Sequence, residues 1–154
     1  MRYLMIDRID ELKAFEYAIG TKCISLADDC FEHHFPGQPI YPGALLLESM
    51  AQLGGALLEL SLRDEVDELP RCVLSSVKAK FRDFVRPGDT LTLRADVVSR
   101  HGEDALLRVE ASRGDQRVAQ GELIYVLIKI DDPALDAARR EFLDVITRGT
   151  RLIS

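Results

Sequence analysis

The chain has 154 residues, of which 47% are hydrophobic and 30% charged, and its formal net charge at pH 7 is −6. This length predicts one domain with a sizeable core. The acidic balance, without a dense Lys/Arg tract, argues against nucleic acid as the main partner.

The N-terminal stretch is too acidic, and its apolar run too short, for a secretory signal, which predicts a cytoplasmic location. Charges interrupt every apolar run, so we expect no membrane-spanning segment. Three cysteines without a C-x-x-C pair favour reduced thiols. Residues 3–24 predict one strand or two paired strands broken near Gly20, and a loop rich in Pro and Gly follows over residues 25–41.

Pro42 and Gly43 predict the start of a helix of about twenty residues that ends near Leu62. Ala, Leu and Met are spread around most of this helix, which is typical of a helix buried on nearly all sides. The second half predicts an antiparallel meander of three or four strands. Their segments are RCVLSSVKAKFRDFV, DTLTLRADVVSR, DALLRVEASR and QRVAQGELIYVLIKI.

The pattern predicts an α+β domain over residues 1–130, with the sheet wrapped around the helix, and a C-terminal helical extension over residues 131–154. In the extension, Asp132 is a candidate N-cap and Gly149 a stop signal. Five apolar residues recur there at helical spacing and predict an amphipathic helix that packs on the outside or on a neighbouring subunit: Leu135, Ala138, Phe142, Val145 and Ile146.

Four residues of the central helix share one narrow face: Glu48, Gln52, Gly55 and Glu59. We expect Glu59 to be solvated near the end of the helix. Glu48 is flanked by leucines; in a dry setting its carboxyl would be pushed toward the neutral form and could donate a proton. The alternative is a half-exposed glutamate favoured by the helix dipole.

His33 and His34 precede the helix, and either a structural or a catalytic role fits an adjacent pair in a loop. A zinc site built on them with Cys30 lacks a second pair of ligands. The N–H of Gly43 lies at the mouth of the helix, where free donors favour developing negative charge. A base, an acid and an N–H donor within fifteen residues form a plausible catalytic site.

The stretch HFPGQPIYPGALLLESMAQ resembles the signature H-F-P-G-x-P-x-x-P-G-x-L-x-x-E-x-x-A-Q of the β-hydroxyacyl-acyl carrier protein dehydratases. KFRDFVRPGDTL is similar to a later strand and turn of that family, and the similarity covers residues 3–130. An acid that is Glu48 and not Asp is closer to the dehydratase-only branch. The resemblance implies a hot-dog fold and a lyase of fatty acid biosynthesis, with His34 as base and Glu48 as acid.

The same resemblance implies that Gly43, Phe35 and Gln52 contact or support the substrate. It implies no metal or redox cofactor, a substrate carried on the phosphopantetheine of an acidic acyl carrier protein, and an apolar acyl tunnel. It also implies an obligate homodimer with shared active sites, which in this family can assemble into a trimer of dimers. Four basic residues are either a solvated strand face or a docking patch for the carrier: Lys78, Lys80, Arg82 and Arg86.

This sequence departs from the family pattern at three places. His33 stands where the family usually has Gly, Asp83 and Phe84 replace residues that are commonly basic and Pro, and a helix follows Asp132. Two alternatives stay open: a hot-dog thioesterase acting on the same substrates, and a non-catalytic subunit that binds acyl carrier protein. The second would be expected to lose His or Glu, and both are present.

Overall fold

A computed structural model describes residues 3–154. In chain order the elements are β1 (Arg8–Lys13), β2 (Tyr17–Cys23), a 3-10 turn (Asp29–Glu32), α1 (Gly43–Leu62), β3 (Arg71–Phe81), β4 (Thr90–His101), β5 (Asp104–Arg113), β6 (Gln116–Ile128), α2 (Pro133–Ile146) and β7 (Arg151–Leu152). The order of strands and helices after residue 42 follows the prediction, except for the short β7.

The seven strands form one sheet in the order β3-β6-β5-β4-β2-β1-β7. Neighbouring strands are antiparallel, except that β7 runs parallel to β1. One face of the sheet curves around α1, which contacts every strand from β1 to β6. A long central helix wrapped by an antiparallel sheet is the architecture that the sequence predicts.

The central helix α1 begins at Gly43 and ends at Leu62, as predicted. An 18-residue window within it has a mean hydropathy of 1.3, so the helix is long and apolar enough to cross a membrane by length and composition alone, contrary to our expectation that no run would be. Because 67% of that stretch is buried inside the fold, contact with the sheet accounts for its apolar character.

The two N-terminal strands turn at a place other than the predicted one. The turn between β1 and β2 lies at residues 14–16, and Gly20 lies within β2. A Cβ at position 20 would lie 2.9 Å from the carbonyl oxygen of Arg8 on the neighbouring strand. Glycine at this position therefore permits the close approach of two backbones, and does not break the strand.

Strand β3 ends at Phe81, earlier than the predicted end at Val85. Beyond it, Asp83 accepts a hydrogen bond from Nη2 of Arg113 at 2.7 Å. The carbonyl of Val85 accepts the N–H of Tyr41 at 2.7 Å. These contacts lead the chain away from the strand direction and toward the N-terminal end of α1.

The C-terminal helix α2 forms as predicted, and only part of its predicted apolar face packs against the core. Leu143 and Ile146 are buried. In contrast, Leu135, Ala138 and Val145, which we expected on the packing face, are exposed. Of the five predicted residues, Ile146 is buried and Phe142 packs partly buried against the core, so the C-terminal half of the predicted face contacts the outside of the domain.

Charged contacts join α2 to α1. Nε of Arg139 donates to Oε2 of Glu59 at 2.5 Å, and the guanidinium lies 4.8 Å from the centroid of the Phe142 ring. Glu59 is only 3% exposed, so the expectation that it is solvated was wrong. Its carboxylate tolerates burial because Arg139 of α2 supplies the opposite charge.

Candidate active site

The loop that precedes α1 holds the His34 side chain in one orientation. Its Nδ1 lies 2.7 Å from the carbonyl oxygen of Ile40. Because a carbonyl oxygen only accepts, Nδ1 carries a proton, and in the neutral imidazole the lone pair that a general base requires is then on Nε2. The ring of Phe35 stacks on the imidazole with centroids 4.1 Å apart. The neighbouring His33 is exposed at the end of the 3-10 turn.

The N-terminal end of α1 presents free backbone donors. Pro42 stands at the N-cap without a side-chain cap. Within residues 3–154, the N–H groups of Gly43 and Ala44 have no hydrogen-bond acceptor. The ring of Phe81 lies beside them, since a Cβ added to Gly43 would be 3.4 Å from two ring carbons. Such donors, at the positive end of the helix dipole, can stabilise negative charge that develops on a carbonyl oxygen.

Glu48 is half-buried one turn into α1. Nε2 of Gln52 donates to Oε1 of Glu48 at 2.9 Å and to the carbonyl oxygen of Tyr3 at 3.1 Å. Oε1 of Gln52 accepts the N–H of Met5 at 2.9 Å. The helical period predicts the first of these contacts. The contacts with Tyr3 and Met5 leave no signal in the sequence, because they join residues far apart in the chain.

His34 and Glu48 both lie near the N-terminal end of α1 but do not contact each other within one chain. In the part of the chain that the structure describes, His34 bonds through its ring to Ile40 and Glu48 accepts from Gln52, and no hydrogen bond or ion pair joins the two. Each of the two side chains is thus held by its own partner, His34 by the loop and Glu48 by the helix.

A cavity of about 210 Å³ opens beside this end of α1, with Cys30, Tyr41 and Leu45 in its wall. Burial raises the pKa of Tyr41 to about 12 and raises the pKa of the Cys30 thiol. Cys30 is thus protonated at neutral pH and does not supply a thiolate nucleophile. All three cysteines are unpaired, and within residues 3–154 no three His, Cys, Asp or Glu side chains are grouped as metal ligands.

A groove of about 390 Å³ crosses the outer face of the sheet over β3, β6 and β5. Its charged lining consists of four cations and two carboxylates: Lys78, Lys80, Arg108, Arg117, Glu110 and Glu122. Arg117 and Glu110 form an ion pair at 2.9 Å. The groove therefore has a net positive charge, although the chain as a whole is acidic.

The two other basic residues of the predicted docking patch lie beyond the groove lining. Nε of Arg82 donates to Oε1 of Gln120, a groove residue, at 3.3 Å. Arg82 thus extends the basic face formed by the two lysines. Arg86 lies in the following turn, with its guanidinium 5.5 Å from the centroid of the Phe84 ring. The structure groups three of the four predicted residues and separates Arg86 from them.

The amino-acid sequence is similar to one family of known proteins. The model of the FabA-like domain matches residues 1–122. The 3-hydroxyacyl-acyl-carrier-protein dehydratase FabZ of Campylobacter jejuni is 42% identical over 128 residues, which cover 82% of this chain and 88% of that protein. These matches include the whole stretch from His33 to Gln52.

Solved structures show the same fold. A hot-dog-like protein from Thermanaerovibrio acidaminovorans superposes with a TM-score of 0.64 at 21% identity, covering 84% of this chain and 91% of that chain. The dehydratase heterocomplex ApeI:P from Xenorhabdus doucetiae gives a TM-score of 0.58 at 25% identity, covering 73% of this chain and 89% of that chain. The predicted hot-dog fold is confirmed.

Proposed function

Because the chain belongs to the FabA-like family, we propose that it catalyses the reversible dehydration of 3-hydroxyacyl-acyl carrier protein to the trans-2-enoyl thioester. The pathway is fatty acid biosynthesis or a related lipid or polyene pathway. One observation carries the proposal: a histidine with a free Nε2, a carboxyl group and free N–H donors all lie at the N-terminal end of α1.

The mechanism that we propose is an elimination. Nε2 of His34 removes a proton from C2 of the substrate, and the N–H of Gly43 donates to the thioester oxygen as enolate-like charge develops there. The C3–O bond then breaks as Glu48 delivers a proton to the departing hydroxyl, directly or through a water. The C2–C3 double bond forms and one water molecule leaves. Phe35 and Gln52 hold the base and the acid in place.

The proposed reaction moves protons and releases water, so we propose that it uses neither a metal nor a redox cofactor. The substrate arrives on the phosphopantetheine arm of acyl carrier protein. We also propose a cytoplasmic location, where the unpaired cysteines of this chain stay reduced. We propose that the acyl chain lies in an apolar tunnel. The 210 Å³ cavity is not that tunnel, because charged residues line its wall.

We propose a homodimer in which two chains share each active site. β3 lies at the edge of the sheet, and no strand among residues 3–154 pairs with its outer side. It exposes Val73, Val77 and Phe81 at 44%, 43% and 48%. A long edge strand with apolar side chains is suited to pairing with a second copy. A partner chain then brings its His34 to Glu48, and three such dimers can assemble into a larger complex.

Co-expression of two inactive variants tests the shared site. Mixed dimers of His34→Ala and Glu48→Gln chains contain one intact site if His and Glu come from different chains. We then expect about a quarter of wild-type activity, because half of the dimers are mixed and each holds one good site. Each variant expressed alone is the control. No recovered activity in verified mixed dimers would show that each site belongs to a single chain.

We propose that the positively charged groove on the outer face docks the acidic carrier protein. Lys78→Glu combined with Lys80→Glu is expected to raise KM for a carrier-bound substrate about tenfold and leave kcat unchanged, because docking charges act on encounter. KM for a pantetheine thioester without carrier should not change. Arg100→Glu, on exposed β4 surface, is the matched control. An equal rise of KM for both substrates would place the effect elsewhere than in docking.

The proposed function is tested by incubating the purified protein with 3-hydroxyacyl and trans-2-enoyl carrier thioesters of several chain lengths. Absorbance of the enoyl thioester should approach the same equilibrium from both directions, without release of free thiol. Free thiol without reversible hydration would identify a thioesterase. Inactivity toward every chain length would favour a non-catalytic subunit that binds acyl carrier protein.

A further inference from the structure

The peptide group between Ile40 and Tyr41 makes two hydrogen bonds that connect His34 with a distant part of the chain. Its carbonyl oxygen, that of Ile40, lies 2.7 Å from Nδ1 of His34. Its N–H, that of Tyr41, donates to the carbonyl oxygen of Val85 at 2.7 Å. Because a peptide group is planar, the contact with Val85 fixes the direction in which the Ile40 oxygen points. The same contact polarises the peptide group and strengthens its oxygen as an acceptor.

The peptide group between Val85 and Arg86 is held in turn by Asp89. Its N–H, that of Arg86, donates to Oδ2 of Asp89 at 2.9 Å. The backbone N–H of Asp89 donates to the carbonyl oxygen of Arg86 at 3.1 Å, so these residues close a turn. The Val85 side chain is buried and anchors the turn in the core. A hydrogen bond to a carboxylate is about twice as strong as one between neutral groups, and here it fixes the direction of the Val85 carbonyl.

Arg113, at the end of β5, holds the Asp89 carboxylate and the start of the same turn. Its Nη1 donates to Oδ2 of Asp89 at 3.0 Å and to the carbonyl oxygen of Phe84 at 3.1 Å. Its Nη2 donates to Oδ2 of Asp83 at 2.7 Å. A guanidinium presents its N–H groups in a fixed plane, so these three contacts set the shape of the turn. Without the guanidinium, the two carboxylates would repel each other.

We propose that Asp89 and Arg113 are positioning residues of the active site, which act on the general base through two peptide groups. Arg113 holds the Asp89 carboxylate, and Asp89 holds the peptide group that carries the Val85 carbonyl. That carbonyl holds the peptide group whose oxygen accepts from Nδ1 of His34. Which nitrogen of a neutral imidazole carries the proton is set by the hydrogen bond that it makes, so this series of contacts keeps the lone pair on Nε2. The inference rests on the proposed function for the chemistry that His34 performs.

Arg113→Met removes the guanidinium and keeps much of the apolar stem. We expect kcat for dehydration to fall about tenfold with KM unchanged, because a misoriented base slows the chemical step without weakening substrate binding. Arg94→Met is the matched control, since Arg94 also donates to a carboxylate, that of Asp96 on β4, at 2.7 Å. Its kinetic constants should equal those of the wild type.

Nuclear magnetic resonance of the histidine side chains tests the inference independently of activity. In protein labelled with ¹⁵N at histidine, the His34 signals are those lost in His34→Ala. At alkaline pH, where the imidazole is neutral, the ¹⁵N shifts of the two ring nitrogens report which of them carries the proton. We expect the proton on Nδ1 in the wild type and in Arg94→Met. In Arg113→Met and in Asp89→Ala it should be shared, so that the two shifts approach each other.

Two further variants show whether Asp89 and Arg113 act in series. Arg113→Met combined with Asp89→Ala should lower kcat no further than either change alone, because both break the same series of contacts. Asp89→Asn retains an oxygen that can accept from the N–H of Arg86. It should therefore keep most of the wild-type kcat and keep the His34 proton on Nδ1.

The inference is overturned if Arg113→Met keeps the full kcat, or if the His34 proton stays on Nδ1 in both Arg113→Met and Asp89→Ala. A rise of KM alone would also overturn it, because it would assign Arg113 to substrate binding. Losses of kcat that multiply in the double variant would show that the two residues act separately, which contradicts the series. If the wild-type protein dehydrates no substrate, the proposed function fails, and the ¹⁵N shifts still decide whether the two residues control the proton on His34.

Discussion

His34→Ala and Glu48→Gln are each expected to lower kcat/KM for dehydration by about 10³-fold, the contribution of a general base or acid to proton transfer. His34→Ala removes the lone pair that faces the substrate when Nδ1 is bonded to Ile40. Glu48→Gln keeps the size of the side chain but removes its ability to transfer a proton. Initial rates with a 3-hydroxyacyl carrier thioester, at several substrate concentrations, measure both effects.

The neighbouring histidine provides the matched control for this experiment. His33 is exposed and lies one residue from His34, and His33→Gly gives the residue that the family usually has. We expect this variant to retain activity and to elute in size-exclusion chromatography at the same volume as the wild type. An inactive His33→Gly beside an active His34→Ala would reverse the assignment of the base. Full activity in Glu48→Gln would remove Glu48 from the mechanism.

Arg139→Met is expected to lower the free energy of unfolding by about 3 kcal/mol, because it leaves a buried carboxylate without its counter-charge. Glu59 is 3% exposed and Arg139 is its ion-pair partner at 2.5 Å. The surroundings are poorly hydrated, since burial, followed by the charge of Glu59, raises the pKa of the nearby Cys72 thiol to about 12. Methionine retains much of the apolar stem, so the loss reports the charge. Urea denaturation monitored by circular dichroism measures it.

Two further variants distinguish the effect of this buried ion pair on stability from the effect of an exposed one. Adding Glu59→Met to Arg139→Met should recover most of the stability, because no charge is then buried. Arg63→Met breaks an ion pair with Asp144, which is 59% exposed at its side chain, and should cost less than about 1 kcal/mol. A loss in Arg139→Met no greater than that in Arg63→Met would contradict the role of the buried pair.

The sequence predicts the bounds of the central helix and the candidate site residues on it, because the residues that indicate them are close together in the chain. Pro42 and Gly43 mark the helix start, and the spacing from His34 to Glu48 identifies the family motif. Residues four apart on a helix must share a face, so the contact of Gln52 with Glu48 is also predictable.

The features that could not be predicted depend on residues distant in the chain. Burial of Glu59 requires Arg139, 80 residues away. Glycine is required at position 20 because the backbone of Arg8 lies close beside it in the neighbouring strand. The orientation of the Gln52 carboxamide depends on its hydrogen bond to the carbonyl oxygen of Tyr3. Helix periodicity and turn propensity carry no information about such partners. In each case the sequence does not reveal which distant residue makes the contact.

The C-terminal extension changes what the sheet can do at its second edge. Thr150 donates from its hydroxyl to the carbonyl of Ile9, β7 pairs with β1 at Glu11 and Leu12, and the N–H of Ile153 donates to the carbonyl of Leu12. Backbone groups of β1 that would otherwise recruit a strand from another molecule are thereby occupied. The sheet then ends on this side in β7, a strand of only two residues, which offers little backbone to a strand from another molecule.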